Sequence, residues 1–200
     1  LSLGTANITA YVTNPVIVDS TQKLKNGGGS FDFAGGITLK SGSELVGQGQ
    51  EISGNISLSG GKLSIAQDTI FADNLAISAG STINIDALKT LTYDGATVGI
   101  GAAVLKIQGG GTFINTESTE LKLNSANSNL VLDNVTVAYV SVSAASNSNK
   151  GLVVSADSTL TNLSLAQKLR LSVAAEKTFS VTESLTVPTQ GMLLSGSGML

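Results

Sequence analysis

The stretch Gly54–Ile85, GNISLSGGKLSIAQDTIFADNLAISAGSTINI, decides the fold. Apolar residues alternate with polar or small ones in short triplets such as Ile56-Ser57-Leu58, Leu63-Ser64-Ile65 and Leu75-Ala76-Ile77. Alternation with a period of two over a few residues, bounded by Gly, Ser, Asn and Asp, is typical of a short strand with one buried face. The stretch therefore predicts a succession of short strands joined by tight turns.

Such triplets recur along the whole chain in three columns, with a step of about 19 residues that is typical of repeat architectures. The first column contains Leu45, Leu63, Ile83, Leu105, Leu121, Val140, Leu160, Phe179 and Met199; the second contains Ile37, Ile56, Leu75, Phe113, Leu132, Leu152, Leu171 and Met192; the third contains Phe33, Ile52, Phe71, Leu165 and Leu185. Three columns at one period predict three strands in each coil. We therefore expect an all-β fold, a right-handed parallel β-helix (solenoid) with about 19 to 20 residues per coil.

Turn-forming residues repeat together with the strands. A small residue precedes the first column in Gly42-Ser43-Glu44-Leu45 and again in Gly80-Ser81-Thr82-Ile83, as a tight corner with positive φ requires. Asn55 and Asn74 begin another corner one period apart. We therefore expect their side-chain amides to stack as a ladder between neighbouring coils.

The repeat predicts a single β-solenoid over residues 1–200. Residues 1–30 fit the period less clearly, and Asn26–Ser30, with the sequence NGGGS, predicts a loop. The stretches 90–111 and 143–151 interrupt the regularity and predict loops that leave the rod. Because one coil buries too little apolar surface to offset the ordering of its backbone, stability must come from stacking.

Composition excludes several classes of function. The chain has 200 residues, of which 42% are hydrophobic and 12% charged, so disorder is excluded. The chain contains neither cysteine nor histidine, which removes disulfides, thiolate chemistry and the commonest general base and metal ligand. A net charge of -3 with scattered lysines argues against nucleic acid, and no apolar run is long enough to span a bilayer. We expect no enzymatic activity, no catalytic residues, no cofactor and no metal.

Two carboxylates, Asp32 and Glu51, are the strongest catalytic candidates, because they lie one period apart and a solenoid would stack them. Stacked carboxylates raise one pKa, bind a cation or support acid-base attack on a glycosidic bond. The alternative interpretation is a pair of solvated side chains that point apart. Enzymes of this fold use clusters of Asp, Lys and Arg, whereas the only arginine here is Arg170. The hypothesis of a carbohydrate-active enzyme or phage tail-spike that uses this pair therefore stays secondary.

Weaker motifs concern calcium and glycosylation. Gly27–Asp32 approaches the nonapeptide calcium repeat, but it departs from that repeat at Ser30 and does not recur in tandem. Asn-x-Ser/Thr sequons begin at the positions Asn7, Asn55, Asn134 and Asn162. An Asn corner followed by an inward apolar residue and an outward Ser or Thr produces this sequon automatically, and glycosylation is left open.

The outward and aromatic residues do not match two known kinds of binding face. Ice-binding solenoids present flat ranks of threonine, but the outward positions beside the first column are mixed. Those positions are Val46, Ser64, Asn84, Lys106, Lys122, Ser141, Thr161 and Ser180. Sugar-binding clefts use exposed aromatic rings, whereas Phe33, Phe71, Phe113 and Phe179 fit the inward columns. The pattern therefore predicts neither a flat threonine array nor an aromatic sugar platform.

With these columns, the chain resembles the β-helical stalks of bacterial surface adhesins, namely autotransporter passengers and filamentous-haemagglutinin-type proteins. The resemblance is architectural and covers about residues 30–200. It rests on the Ser/Thr/Asn/Gly-rich, Cys-free composition and on the Gly-Ser-x-Leu and Asn-Ile-x-Leu units. It implies an extracellular or cell-surface location.

The resemblance implies a non-enzymatic structural and adhesive protein, a segment of a surface adhesin, fibre or layer that acts as a rigid spacer and interaction surface. Its partners would be other copies of itself, neighbouring repeats of a longer chain, and host or cell-surface glycans or proteins. Gly196–Leu200 begins a coil without a polar cap, which favours an alternative. In that alternative the protein is a filament subunit that stacks head to tail through open end coils.

Overall fold

A computed structural model describes residues 9–95, 97–144, 151–164, 169–187 and 193–200. Within these ranges the chain forms strands and turns and contains no helix. The strands are β1 (Thr9–Tyr11), β2 (Val16–Val18), β3 (Lys23–Lys25), β4 (Ser30–Lys40), β5 (Glu44–Gln48), β6 (Glu51–Ser59), β7 (Lys62–Gln67), β8 (Thr69–Ala72), β9 (Leu75–Ala79), β10 (Ser81–Ile85), β11 (Thr90–Asp94), β12 (Thr97–Ile100), β13 (Val104–Gln108), β14 (Thr112–Leu123), β15 (Asn129–Asp133), β16 (Thr136–Ala144), β17 (Gly151–Val154), β18 (Ser158–Ser164), β19 (Arg170–Val173), β20 (Phe179–Thr186) and β21 (Leu193–Gly196).

The strands form two parallel sheets, one of 12 strands and one of nine. Every pairing between two of these strands is parallel, and each joins a strand to the strand one coil before or after it. Parallel strands that stack in this way make a solenoid of about 8 turns. The predicted all-β solenoid fold is therefore confirmed.

Each coil has three walls. The third wall is the nine-stranded sheet from β3 to β21. The 12-stranded sheet covers the other two, because its longer strands, such as β4, β14 and β18, bend across a corner where the pairing register shifts. The first wall contains β1, β8, β11 and the first halves of the bent strands, and the second wall contains β2, β9, β12 and their second halves. Three strands per coil are confirmed.

The first members of each predicted column are superposed or nearly so. Leu45 pairs with Leu63, which pairs with Ile83, and all three are fully buried. In the second wall, Ile56 lies between Ile37 and Leu75. In the first wall Ile52 pairs with Phe71, as predicted. On the preceding coil, however, Ile52 pairs with Phe31 and not with the predicted Phe33, which lies two residues later.

Later members of the columns were assigned wrongly, because the coils are unequal in length. In the third wall, paired residues are separated by 18 residues between Leu45 and Leu63 but by 25 between Ile107 and Leu132. Ile83 pairs with Ile107 rather than Leu105. The predicted coil of 19 to 20 residues is therefore too short for this part of the chain.

Because the predicted coil length is wrong here, some residues lie in a different wall from the predicted one. Leu121 lies in the second wall, opposite Val98 and Val142, and not in the wall of Leu45. Phe113 lies in the first wall, opposite Leu91. Leu165 and Met192 lie outside the described residues.

The less regular stretches also contribute coils. Residues 90–111, for which loops were expected, contain β11, β12 and β13, one strand for each wall. The first 30 residues provide β1, β2 and β3, and within Asn26–Ser30 the N–H of Gly29 donates to the carbonyl oxygen of Asn26 in a turn. In the stretch 143–151, β16 ends at Ala144 and β17 begins at Gly151, and the positions between them lie outside the described residues.

One apolar core runs the length of the rod and contains aromatic as well as aliphatic side chains. Phe33, Phe71, Phe113 and Phe179 are all buried in it, as predicted. Tyr93 lies between two of them, with ring centroids 6.3 Å from Phe71 and 6.1 Å from Phe113. Its hydroxyl donates a hydrogen bond to the carbonyl oxygen of Thr97 at 3.1 Å, which satisfies the polar end of this buried ring.

The core columns come to the surface at the last described coil. Leu194 pairs with the fully buried Leu171, yet it is itself 57% exposed. Leu185 pairs with the buried Leu163 and is likewise exposed. These side chains occupy inward positions that a further coil would cover.

Candidate functional site

The two candidate carboxylates are not stacked. Asp32 lies opposite Ser53, and Phe31 lies opposite Ile52, so Glu51 is two positions out of register with Asp32. Asp32 takes an outward position on the first wall between the buried Phe31 and Phe33, and Glu51 is exposed directly before the buried Ile52. The register therefore contradicts the stacked arrangement on which the acid-base hypothesis rests.

The predicted asparagine ladder is confirmed for its first two members. The side-chain amide of Asn74 donates to the side-chain oxygen of Asn55, one coil earlier, at 3.0 Å. The other two described sequon residues take different roles: Asn134 is exposed with a φ of 54°, and Asn162 donates to the Glu183 carboxylate at 2.9 Å. Asn7 lies outside the described residues.

Charged and amide side chains form contacts between coils on the outside of the third wall. Glu44 lies between Lys23, at 2.5 Å, and Lys62, at 3.6 Å, and accepts a hydrogen bond from Ser64 at 2.5 Å. The Glu44 side chain is only 14% exposed. Burial alone would raise the pKa of Glu44, but the hydrogen bonds from Lys23 and Ser64 and the charge of Lys62 outweigh it, so this pKa is lowered.

The same wall continues these contacts on later coils. Gln108 donates to the side-chain oxygen of Asn84 at 3.2 Å, and Lys106 forms an ion pair with Asp133. Each contact joins residues on neighbouring coils, so this face is an interlocked polar surface whose groups already have protein partners. It stabilises the stack more than it offers groups to a ligand.

Threonine hydroxyls form a straight rank on the outside of the first wall. In consecutive coils Thr90 pairs with Thr112, Thr112 with Thr136, Thr136 with Thr159, and Thr159 with Ser180. The residues that follow them, including Leu91, Phe113, Val137 and Leu160, are buried and point inward, so the rank points outward. The register does not shift anywhere along these five positions.

A second row of outward positions begins beside the first rank. It starts with Thr92, which pairs with Ile114, but Ala138 on the next coil is buried. Further along, the register shifts between Leu160 and Asn162, so Thr161 and Thr182 are not aligned with this row. We call the first rank together with Thr92 and Ile114 the threonine face. It consists of Thr90, Thr92, Thr112, Ile114, Thr136, Thr159 and Ser180. None of these side chains carries a charge.

The hydroxyls of the first rank have no hydrogen-bond partner among the described residues: this holds for Thr90, Thr112, Thr136, Thr159 and Ser180. Hydroxyls at the corners behave differently, since Ser43, Ser81 and Ser158 each donate to a backbone carbonyl. No buried side-chain polar atom in the described ranges lacks a partner, so the rank hydroxyls reach solvent. They are free to bind something outside the protein.

An open groove of about 200 Å³ runs along the edge of the first rank, where the third wall meets the first. Its lining consists of Gly110, Asn134, Val135, Thr136, Asp157, Ser158, Thr159, Thr178 and Ser180. Asp157 is already engaged at this edge, because its carboxylate accepts the backbone N–H of Thr178 at 2.7 Å. The groove therefore presents hydroxyls rather than free charge.

Tyr139 stands at the opposite edge of the threonine face, directly after Ala138, and is 49% exposed. Its φ is 58°, a left-handed conformation that strains a bulky side chain. At the same bend, earlier coils use Gly36, Gly54 and Asp73 in left-handed conformations. Its backbone N–H donates to the Thr161 hydroxyl at 3.0 Å, which ties this corner to the next coil.

The sequence pattern did not predict the threonine face, because the residues assigned to the first column belong to three different walls of the solenoid. Of the outward positions it compared, Val46, Ser64 and Asn84 do lie together on the third wall. Lys122 lies on the second wall, opposite Gly99, and Ser180 on the first. The signal that would have identified the face is the recurrence of Thr or Ser directly before an inward apolar residue, from Thr90-Leu91 to Ser180-Val181, once the true coil lengths are known.

Two further observations bear on function. The described residues contain no group of three or more His, Cys, Asp or Glu side chains able to hold a metal ion, and no helix long and apolar enough to cross a bilayer. Comparison with known proteins gives no match to a family model, to a curated protein or to a solved structure.

Proposed function

We propose that this chain is a non-enzymatic, extracellular β-solenoid that works as a rigid spacer and carries an interaction surface, as a segment of a surface adhesin, fibre or layer. The observation that carries the proposal is the continuous core, which passes through every described coil and is enclosed by uninterrupted parallel pairing. Such a stack spans roughly 40 Å at the ordinary spacing between strands. It resists bending because each inner coil is bonded to the coil before it and the coil after it.

Two outward faces of the solenoid support this proposal, because their polar groups differ in what they contact. The third wall uses its charged and amide groups for contacts between coils, such as those of Glu44 and Gln108. The first wall presents the threonine face, whose first rank of hydroxyls is unused. A rod whose third wall holds the coils together, and whose first wall leaves hydroxyls without protein partners, is suited to presenting a binding surface.

Surface labelling tests the location. Intact cells that produce the protein are treated with a membrane-impermeant, amine-reactive biotin reagent, for which Lys23 and Lys62 offer exposed ammonium groups. We expect the protein to be labelled as strongly in intact cells as after lysis, while a cytoplasmic protein is labelled only after lysis. Labelling that requires lysis would overturn the extracellular proposal.

Small-angle X-ray scattering tests the spacer. We expect the purified chain to give a rod-like distance distribution, with a cross-section that stays constant when the protein is diluted. A compact globular profile would contradict a rigid rod of stacked coils.

A second candidate function is a filament subunit, and the exposed inward residues Leu185 and Leu194 favour it. A second copy that placed its first coil on this surface would continue both pairing and core. Light scattering at increasing concentration tests the idea, with Leu194→Lys as the variant and Leu88→Lys, at an exposed turn residue, as its matched control. Growth of particle size that Leu194→Lys abolishes and Leu88→Lys preserves supports stacking, whereas a monomer at all concentrations rejects it.

A further inference from the structure

We propose that Asn134 is a site of N-glycosylation, at which an activated sugar is transferred to the side-chain amide nitrogen. This inference goes beyond a spacer or adhesive role, because it assigns a covalent modification to one of the four Asn-x-Ser/Thr sequons. Modification on the export route would rest on the proposed extracellular location. Transfer to the purified chain does not depend on that location, so the two proposals can fail separately.

The sequon Asn134-Val135-Thr136 lies where the third wall ends and the first begins. β15 ends at Asp133 and β16 begins at Thr136, so Asn134 is at an exposed corner of the rod. Its φ of 54° is a left-handed conformation that asparagine tolerates better than most residues. Exposed connections of this kind are the parts of a rigid scaffold that an enzyme reaches most easily.

The side-chain amide of Asn134 makes no hydrogen bond within the described part of the chain. Its backbone carbonyl oxygen accepts the N–H of Gly110 on the preceding coil, and the side chain takes no part in that contact. A Cβ built at Gly110 would lie 3.3 Å from Nδ2 of Asn134, so a glycine there leaves room beside the amide. The nitrogen that would receive the sugar is therefore exposed and unbonded.

The hydroxyl that a sequon requires is also available. N-glycosylation needs Ser or Thr two residues after the asparagine. Here that residue is Thr136, in the first rank of the threonine face, and its hydroxyl has no partner among the described residues. Both polar groups of this sequon can therefore enter an enzyme without breaking a contact within the protein.

The other described sequons have amides that are already engaged. Oδ1 of Asn55 accepts a hydrogen bond from Asn74. Asn162 uses both ends of its amide, since Nδ2 donates to Glu183 at 2.9 Å and Oδ1 accepts from Ser184 at 2.5 Å. A transferase has to bind the whole amide, so each of these contacts competes with it. We expect transfer to be fastest at the sequon without such contacts and slowest at Asn162.

The attached sugar would also have a surface to lie on. The groove of about 200 Å³ at the edge of the first rank is lined by Asn134 itself and by the outward Thr136 and Thr159. Sugar hydroxyls pair with threonine hydroxyls, because both kinds of group donate and accept. The carboxylate in the lining, that of Asp157, is already bonded to the backbone N–H of Thr178. The groove therefore offers neutral partners to a neutral sugar.

The transfer is a substitution at the anomeric carbon of a nucleoside-diphosphate hexose. The bond from Nδ2 of Asn134 to this carbon forms, and the bond from the carbon to the diphosphate oxygen breaks. The nucleoside diphosphate leaves with the bonding electrons, and Nδ2 gives one proton to a base of the transferase. Nothing is oxidised or reduced, and this chain serves only as the acceptor.

Transfer of glucose to the purified, folded chain tests the proposal, with a soluble sequon-specific N-glycosyltransferase and UDP-glucose as the donor. Trypsin cleaves after lysine and arginine, so each sequon lies in its own peptide: residues 1–23, 41–62, 123–150 and 151–168. Mass spectrometry of these peptides gives the rate of transfer at each sequon. Each rate is divided by the rate for a synthetic peptide of the same sequence, which corrects for the sequence preference of the enzyme.

We expect the corrected rate for residues 123–150 to exceed that for 151–168 at least about fivefold, the factor that corresponds to one hydrogen bond. The peptide 41–62, whose amide has one contact, should lie between them. This order follows from the folded structure alone, because the correction removes the contribution of the sequence.

Single substitutions identify the acceptor. Asn134→Gln and Thr136→Val should each remove the hexose from residues 123–150, whereas Thr136→Ser should keep it. Valine retains the strand preference of threonine and removes only the hydroxyl. Thr112→Val is the matched control, because Thr112 takes the same outward position one coil earlier and belongs to no sequon. It should leave transfer unchanged, and circular dichroism verifies that each variant is folded.

Three results would overturn the proposal. The first is a folded chain in which residues 123–150 stay unmodified, and the second is a hexose that persists there in Asn134→Gln. The third is a corrected rate for 151–168 that is not smaller than that for 123–150, which would show that the free amide gives no advantage. A chain that is labelled on intact cells but accepts no sugar at Asn134 rejects this inference and leaves the extracellular location standing.

Discussion

The side chains of Asn55 and Asn74 are joined across two coils by a hydrogen bond of 3.0 Å, although both residues are exposed. Their neighbours Ile56 and Leu75 are paired and buried directly behind them. The amide contact therefore fixes the register of a corner whose inward residues pack in the core.

We expect Asn74→Ala to lower the free energy of unfolding by about 1 kcal/mol, the usual net value of one hydrogen bond. Chemical denaturation measures this loss. Asn127→Ala is the control, because Asn127 is exposed in a turn and its side-chain amide makes no hydrogen bond within the described ranges. Equal effects of the two substitutions would contradict a specific role for the ladder.

Acid should weaken the third wall through Glu44. Its pKa is lowered from 4.5 in the folded protein because the contacts with Lys23, Ser64 and Lys62 outweigh burial. A lowered folded pKa means that the charged form stabilises the fold above pH 4.5 and that this contribution disappears as the pH falls through the lowered value. We therefore expect the stability difference between wild type and Glu44→Gln to be largest at neutral pH and to shrink in acid.

Denaturation at several pH values measures that difference. Glu51→Gln is the matched control, since Glu51 is exposed and its carboxylate forms no ion pair among the described residues. A pH-independent difference for Glu44→Gln would show that the ion contacts contribute nothing to folding.

Alkali should act on the core through Tyr93. Burial raises the pKa of its hydroxyl to about 12, and the nearby Asp73 carboxylate adds to the rise. A raised folded pKa means that the neutral phenol stabilises the fold below the ordinary value of 10.0 and that this contribution is lost as the pH rises toward 12. We expect wild type to lose stability over that range while Tyr93→Phe does not.

At neutral pH the same substitution should cost about 1 kcal/mol, because the carbonyl oxygen of Thr97 loses its donor. Thermal unfolding followed by circular dichroism measures both effects. A Tyr93→Phe variant with the same alkaline loss as wild type would show that another group controls it.

Backbone geometry gives a prediction with an internal control. Gly54 has a φ of 104°, and a Cβ at this position would lie 2.3 Å from the carbonyl oxygen of Phe33. Gly54→Ala should therefore destabilise the protein by at least about 1 kcal/mol, since it strains the backbone and displaces a neighbouring strand. Gly80→Ala should have little effect, because nothing lies within 4 Å of a Cβ built there. Similar melting temperatures for the two variants would contradict the close approach.

The sequence was sufficient to predict the solenoid and its first coils. Leu45, Leu63 and Ile83 were placed correctly because the chain between them has nearly constant length. After Ile83 the coil lengthens and its partner is Ile107. All three walls use the same alternating apolar pattern, so the pattern cannot show which wall a residue belongs to once the length changes.

The threonine face was missed for the same reason. Thr112 and Thr136 are 24 residues apart in sequence, and only the pairing register brings them side by side. Asp32 and Glu51, by contrast, matched the expected period but not the register. A sequence period locates the coils, whereas the surface chemistry depends on the pairing register, which changes with the number of residues in each coil.

Each strand of this rod pairs only with strands one coil before and one coil after it. A gene encoding such a chain can duplicate or delete a whole coil by recombination, and the interfaces on either side remain of the same kind. Rod length is therefore an evolutionarily adjustable quantity here. The length of the threonine face is adjustable with it, since each added coil with an outward threonine on the first wall contributes one more hydroxyl to the first rank.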